Sequence, residues 1–211
     1  MMWMDITQTL DHSIAHWPED TPFSYEIPVT KAQSGSVNIG KIETSTHIGT
    51  HIDAPFHFND EGLKVDELDI NRYIGDATVI EVMDQALITE EALKSFSIKG
   101  TILLIKTKEQ ANQDIFPETV PVLSEKAVEH IAKIGIKLFG IDVTSVDPVD
   151  SKTLDIHHKL HRNDIMIIEN AVLGDVTAGY YDFIALPLKI KGADGSPVRA
   201  ALRRQGGISN E

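Results

Sequence analysis

Within Ser45–Phe58, STHIGTHIDAPFHF, His47, His51, Asp53 and His57 are crowded together, although the whole chain holds only nine histidines. A solvated loop gains little from such a cluster beside Pro55 and two phenylalanines. A cation site gains a great deal, because imidazole nitrogens and carboxylate oxygens are the donors that suit zinc or manganese. From His51 onward the polar residues recur at every second position, His51, Asp53 and, past Pro55, His57. Period two turns one face of an extended segment toward a common point. Pro55 argues against a continuing helix and position 48 is Ile rather than Glu, so the helical H-E-x-x-H zinc motif is excluded. The expectation is a strand or loop that presents His47, His51 and Asp53 to one cation. Gly49 either permits close backbone approach at a crowded site or serves as an ordinary turn glycine.

A second segment, DIHHKLHRNDIMIIEN, adds His157, His158 and His161, then Glu169 at the end of an apolar run. A carboxylate there is expensive to bury unless something positive meets it, and a metal ion would. Taken alone, the adjacent histidines equally suit a solvated helix face. The chain has no cysteine, so thiolate sites and disulfides are excluded and any transition metal must rest on imidazole and carboxylate. A serine hydrolase finds no support, since no G-x-S-x-G element is present. GADGSPVRA, ahead of an expected last strand, reads as a turn.

The elements that must position these residues are legible as short β-branched runs: ATVIEV from Ala77, TILLIKT from Thr101, KLFGIDV from Lys137, DIMIIEN from Asp164 and FIALPLKI from Phe183. Between them lie helical patterns. In LSEKAVEHIAKIG, Ser124 can cap the first turn and Gly135 stop the last. In ITEEALKSF, Thr89 is the N-cap, with Glu90 and Glu91 at the positive end of the helix dipole. Strands alternating with helices predict an α/β fold with a mixed sheet core. The first fifty residues, broken by Pro18, Pro22, Pro28 and a Gly35/Ser36 turn, read as a hairpin lobe able to supply an apolar wall, with Trp17 and Phe23 as candidates.

At 211 residues, 42% of them hydrophobic, one domain over residues 1–211 with a substantial core is the economical reading. The net charge of −13 repels phosphate backbones and anionic headgroups, which argues against nucleic-acid and membrane partners. There is no run of eighteen apolar residues, and the N-terminus lacks a basic head followed by an apolar stretch, so a cytoplasmic protein is expected.

STHIGTHIDAPFHF resembles the H-x-G-T-H-x-D-x-P-x-H signature of the metal-dependent cyclase-like hydrolases. With DITQTLDHSIAHWPEDTPFSYE, GIDVTSVDP, HHKL before IIEN, and ADGSPVRAAL, the chain is most similar to their arylformamidase branch. That resemblance implies a single domain of the swivelling β/β/α type, a homodimer and two zinc ions per chain, with manganese as the alternative. It implies His47, His51 and Asp53 on the first ion, Asp53 bridging to the second, and His157 and Glu169 as the later ligands, with Glu169 bridging both ions. His57 falls at the catalytic acid/base position and Trp17 at the substrate's aromatic ring. The implied reaction is hydrolysis of N-formyl-L-kynurenine to L-kynurenine and formate by a metal-bound hydroxide. A sibling hydrolase acting on an isatin-type ring and a metal-dependent binding protein without turnover are the rival readings. Retention of His57 beyond the ligand set argues against the second rival.

Overall fold

The computed structural model describes residues 2–108 and 112–206. In chain order the first strands are β1 (Met4–Asp5), β2 (Ser24–Val29), β3 (Ile39–Glu43), β4 (His51–Asp53), β5 (Ile74–Glu81) and β6 (Leu87–Ile88). They are followed by β7 (Ile102–Lys106), β8 (Val122–Leu123), β9 (Leu138–Ile141), β10 (Met166–Glu169), β11 (Gly179–Pro187) and β12 (Gly195–Arg204). The helices are α1 (Lys31–Ser34), α2 (Glu90–Lys94), α3 (Glu125–Lys133) and α4 (Asp155–Arg162). Each of the five β-branched runs overlaps a strand.

One large mixed sheet runs β1-β12-β11-β5-β7-β9-β10-β4, and β4 pairs again with β12, so the sheet closes into a barrel. Strands β5, β7, β9 and β10 are parallel neighbours, while β11, β12 and β4 join antiparallel. The parallel strands read as unbroken apolar runs because both faces are covered. Ile102 and Leu104 of β7 face one core cluster with Ile52, Tyr73, Leu138, Ile168, Tyr181 and Phe183. Leu103 and Ile105 face another, built with Leu93 of α2, Val128 and Ile131 of α3 and Leu160 of α4. The caps form as expected: Thr89 Oγ1 accepts from Ala92 N and Ser124 Oγ from Ala127 N.

In the first fifty residues, β2 and β3 pair as an antiparallel hairpin separate from the barrel, and β1 joins the outer edge of β12. Phe23 is buried with Ile14 and Ile48 behind the histidine loop, so it is core and not a wall of the site. Gly49 has φ +59°, and a Cβ there would meet Leu10 and Ile14. The close approach it permits is therefore to the N-terminal loop. Among the described residues no helix is long and apolar enough to cross a membrane.

Candidate active site

The barrel closes where β4 lies between β10 and β12, with Glu169 opposite His51 and Gly195 opposite Asp53 in register. This pairing brings the two histidine segments together. His51 and Asp53 sit on consecutive same-face positions of β4 and are buried, as is Glu169 at the end of β10. His157, on the inner side of α4, is buried too. Both His157 and His158 lie beside the Phe58 ring, but it is His157 whose Nε2 reaches Asp53 and Glu169.

Around the two carboxylates the donors divide into two groups. His51 Nε2 lies 3.4 Å from Asp53 Oδ1 and 3.5 Å from Glu169 Oε2, and His47 Nδ1 lies 3.0 Å from Asp53 Oδ1. On the other side His157 Nε2 is 3.3 Å from Asp53 Oδ2 and 3.6 Å from Glu169 Oε1. Each carboxylate thus turns one oxygen to each group. His47, His51 and Asp53 form one set able to hold a cation, and Asp53, His157 and Glu169 another that shares Asp53; His47, His57 and Asp194 form a third beside them, each with its donor atoms within 4.8 Å of one another.

The hydrogen bonds behind the rings fix what these nitrogens offer. His51 Nδ1 is 2.8 Å from Gly49 O. A carbonyl can only accept, so Nδ1 carries the proton and Nε2 presents its lone pair to two carboxylate oxygens. Among the described residues neither His51 Nε2 nor Asp53 Oδ2 has a hydrogen-bond partner, although both are buried. Lone pair facing lone pair in a buried site is unfavourable without a cation, so the donor set fits a metal. His157 Nδ1 is backed by Asp147 Oδ2 at 2.7 Å, and His47 Nε2 by Asp194 Oδ2 at 3.1 Å. An acceptor behind each imidazole is the usual means of orienting a metal ligand.

Asp147 and Asp194 are contributions that sequence reasoning missed. Asp147 also accepts the backbone N–H groups of Ile156 and His157, so it caps α4 from outside the helix. Asp194 lies in the segment read as a simple turn, where Thr46 Oγ1 donates to it at 2.7 Å. It is followed by Gly195, at which a Cβ would lie 2.6 Å from the His47 ring, a signal visible only once the strands are paired.

His57 departs from the period-two expectation. The chain leaves β4 at Asp53 and turns through a single 3₁₀ turn, Pro55–His57. That turn folds the His57 ring back over His47, with centroids 3.9 Å apart, and leaves Nδ1 3.7 Å from Asp194 Oδ2. His57 borders a cavity of about 450 Å³ whose lining includes His47, His157, Glu169 and Trp17. Trp17 forms one wall, its ring set edge-on to Phe116 at 4.9 Å. Ser196 is buried at the start of β12, where its Oγ accepts from Leu188 N, a structural duty.

Protons balance the charge of this cluster in the metal-free protein. Burial alone lowers the His47 pKa, but its bonds to Asp194 and Asp53 raise it overall to about 10. Burial is likewise overcome at His157, where Asp147 and Asp53 raise the value to about 10. Burial, with Asp53 nearby, pushes Glu169 up to about 8. Asp53 resists its burial through His157 and His47 and stays well below the carboxylate range. The unfolded chain releases the corresponding protons near 6.5 for histidine and 4.5 for glutamate. Between those values and about 8 to 10 the folded state binds more protons, so stability falls as pH rises through this window. A cation displaces the same protons and binds more tightly over that range. We expect the thermal midpoint of the chelated protein to fall from pH 6.5 to 10, measured by scanning calorimetry, and metal to protect most at the alkaline end. A midpoint that rises with pH in the chelated protein would contradict this.

Residues 4–148 match the Cyclase family, described as "Putative cyclase". A kynurenine formamidase from Bacillus cytotoxicus is 50% identical over 202 residues, covering 95% of this chain and 97% of that protein. One from Geobacillus thermodenitrificans is 51% identical over 205 residues, 97% and 98% of the two chains. Among solved structures, a predicted metal-dependent hydrolase from Bacillus stearothermophilus has a TM-score of 0.80 at 27% identity, covering 95% of this chain and 97% of that one. Isatin hydrolase A from Ralstonia solanacearum has a TM-score of 0.82 at 22% identity over 97% and 92%, a likeness of fold. The chain belongs to the Cyclase family and, within it, to the kynurenine formamidases.

Proposed function

We propose that this chain hydrolyses N-formyl-L-kynurenine to L-kynurenine and formate in tryptophan breakdown. The observation that carries the reading is the 50% identity, over 95% of the chain, to a kynurenine formamidase. His47, His51 and Asp53 would hold one ion and His157 a second, with Asp53 and Glu169 shared between the two. Zinc is the metal we assign, with manganese as the alternative. When bound, the ions supply Lewis acidity toward water and the formyl carbonyl.

Hydrolysis adds the oxygen of water to the formyl carbon and breaks the carbon–nitrogen bond. The arylamine is a poor leaving group unless its nitrogen is protonated. His57, at the cavity and outside both sets of donors that meet the carboxylates, takes a proton from the attacking water and delivers it to that nitrogen. Asp194, on the far side of the His47 ring, keeps His47 turned to Asp53. Trp17 offers an aromatic face to the kynurenine ring. Because such a platform holds ground state and transition state alike, Trp17→Ala is expected to raise KM roughly 2–12-fold with a smaller effect on kcat. Unchanged steady-state kinetics in a folded variant would return Trp17 to a packing role.

The same reading extends to one catalytic domain of the swivelling β/β/α type over residues 1–211, with the β2–β3 hairpin as its N-terminal lobe. It also extends to a cytoplasmic homodimer. Exposed Tyr25, Ile27, Ile39 and Ile42 on the hairpin offer a second copy an apolar surface to cover. The reaction is tested by incubating the metal-loaded protein with N-formyl-L-kynurenine and quantifying L-kynurenine and formate in equal amounts. Absence of both products would reject it.

A further inference from the structure

Beyond the ring wall, the histidines and Glu169, three charged side chains line the same cavity: Glu19, Asp20 and Lys152. Among the described residues Lys152 is the sole lysine or arginine of the lining, in a chain whose net charge is −13. Its side chain is exposed and makes no hydrogen bond or ion pair among the described residues. Asp20 is committed locally, since its Oδ1 accepts from Thr21 N at 2.6 Å. Glu19 is not so committed. It occupies the third position of the Trp17–Asp20 turn, closed by Asp20 N donating to Trp17 O at 3.0 Å, with φ +71°. That position favours glycine or asparagine. A glutamate held there, one residue past Pro18, puts a free carboxylate at the cavity beside the tryptophan.

The substrate of the proposed reaction carries two charges far from its formyl group, an α-ammonium and an α-carboxylate. The carboxylate must enter a cleft already rich in acidic groups, within a field that repels anions. Lys152, the one lysine or arginine among the described lining residues, offsets this away from the reacting centre. We infer that the cavity holds a subsite for the α-amino acid end of the substrate, in which Lys152 takes the carboxylate and Glu19 the ammonium. The inference rests on the reaction proposed above and assigns how that reaction selects an amino acid over a plain formanilide. Neither residue touches the reacting atoms, so both determine specificity and not the chemical step.

The test compares N-formyl-L-kynurenine with 2′-formamidoacetophenone, which keeps the formanilide and ketone and lacks the amino acid. Steady-state kcat/KM is measured on both for the metal-loaded wild type, Lys152→Met and Glu19→Gln, and the ratio between the two substrates is taken for each protein. Wild type should prefer the full substrate, and each substitution should lower that ratio roughly 3–5-fold, chiefly through KM. Ratios within about 2-fold of wild type in both variants would overturn the subsite while leaving the reaction standing. Because the ratio cancels losses common to both substrates, a variant that merely folds or binds metal less well leaves it unchanged and counts against the subsite. Wild type that turns over neither substrate would instead reject the reaction, and the subsite with it.

Discussion

Replacing His57 with alanine is expected to leave fold and metal content intact while turnover of N-formyl-L-kynurenine falls by roughly 10²–10⁴, the usual effect of losing a general acid/base. The geometry behind this is specific. The histidine nitrogens that meet Asp53 and Glu169 belong to His47, His51 and His157. His57 stands outside them, on its own 3₁₀ turn, with Asp194 at 3.7 Å as its carboxylate neighbour. Its side chain is about one-third exposed and borders the cavity, so truncation opens space toward the cavity and not within either core cluster. Metal analysis and turnover on the same preparation separate the outcomes. Metal loss would make His57 a ligand, and near-normal turnover would remove it from proton transfer.

Asp53→Asn is expected to do the opposite, losing metal and, with it, at least about 10²-fold in activity. Asp53 lies within 3.4 Å of nitrogens on all three buried or half-buried imidazoles, and it turns one oxygen toward each group of donors. Asparagine keeps the shape but removes the charge and replaces one acceptor by an NH₂ donor, which opposes any cation. Elemental analysis after gentle purification, with circular dichroism to verify folding, reads the result. A folded Asp53→Asn protein that retains two ions per chain and full activity would show that the two sets do not depend on their shared carboxylate.

The parts of this site that were legible in the sequence are those set by local periodicity. His51 and Asp53 stand two apart on a strand, and Glu169 ends an apolar run, so the pattern alone placed them on strand faces. The strands themselves were legible because barrel strands covered on both sides are apolar throughout, as ILLI in β7 is. The closure of β4 onto both β10 and β12 was not, since it depends on pairings across more than a hundred residues. Asp194 was missed for that reason: it meets His47 across 147 positions, and in its own neighbourhood it looks like any turn aspartate. Asp147 was hidden differently. The residue before α4, Leu154, offers no capping side chain, and the cap comes from a loop carboxylate that simultaneously holds His157. His57 was placed on the wrong element because Pro55, which excluded a long helix, is also a favourable first residue for the short 3₁₀ turn it begins.

The account stands most directly on turnover of N-formyl-L-kynurenine followed through a metal cycle on a single preparation. The protein is assayed as purified, after removal of metal by a chelator, and after stepwise return of zinc with bound ions counted at each step. We predict that activity disappears on chelation and returns with zinc, reaching its plateau at about two ions per chain, the number the two donor sets would hold. Full formamidase activity in the chelated protein, with one ion or none bound, would contradict it.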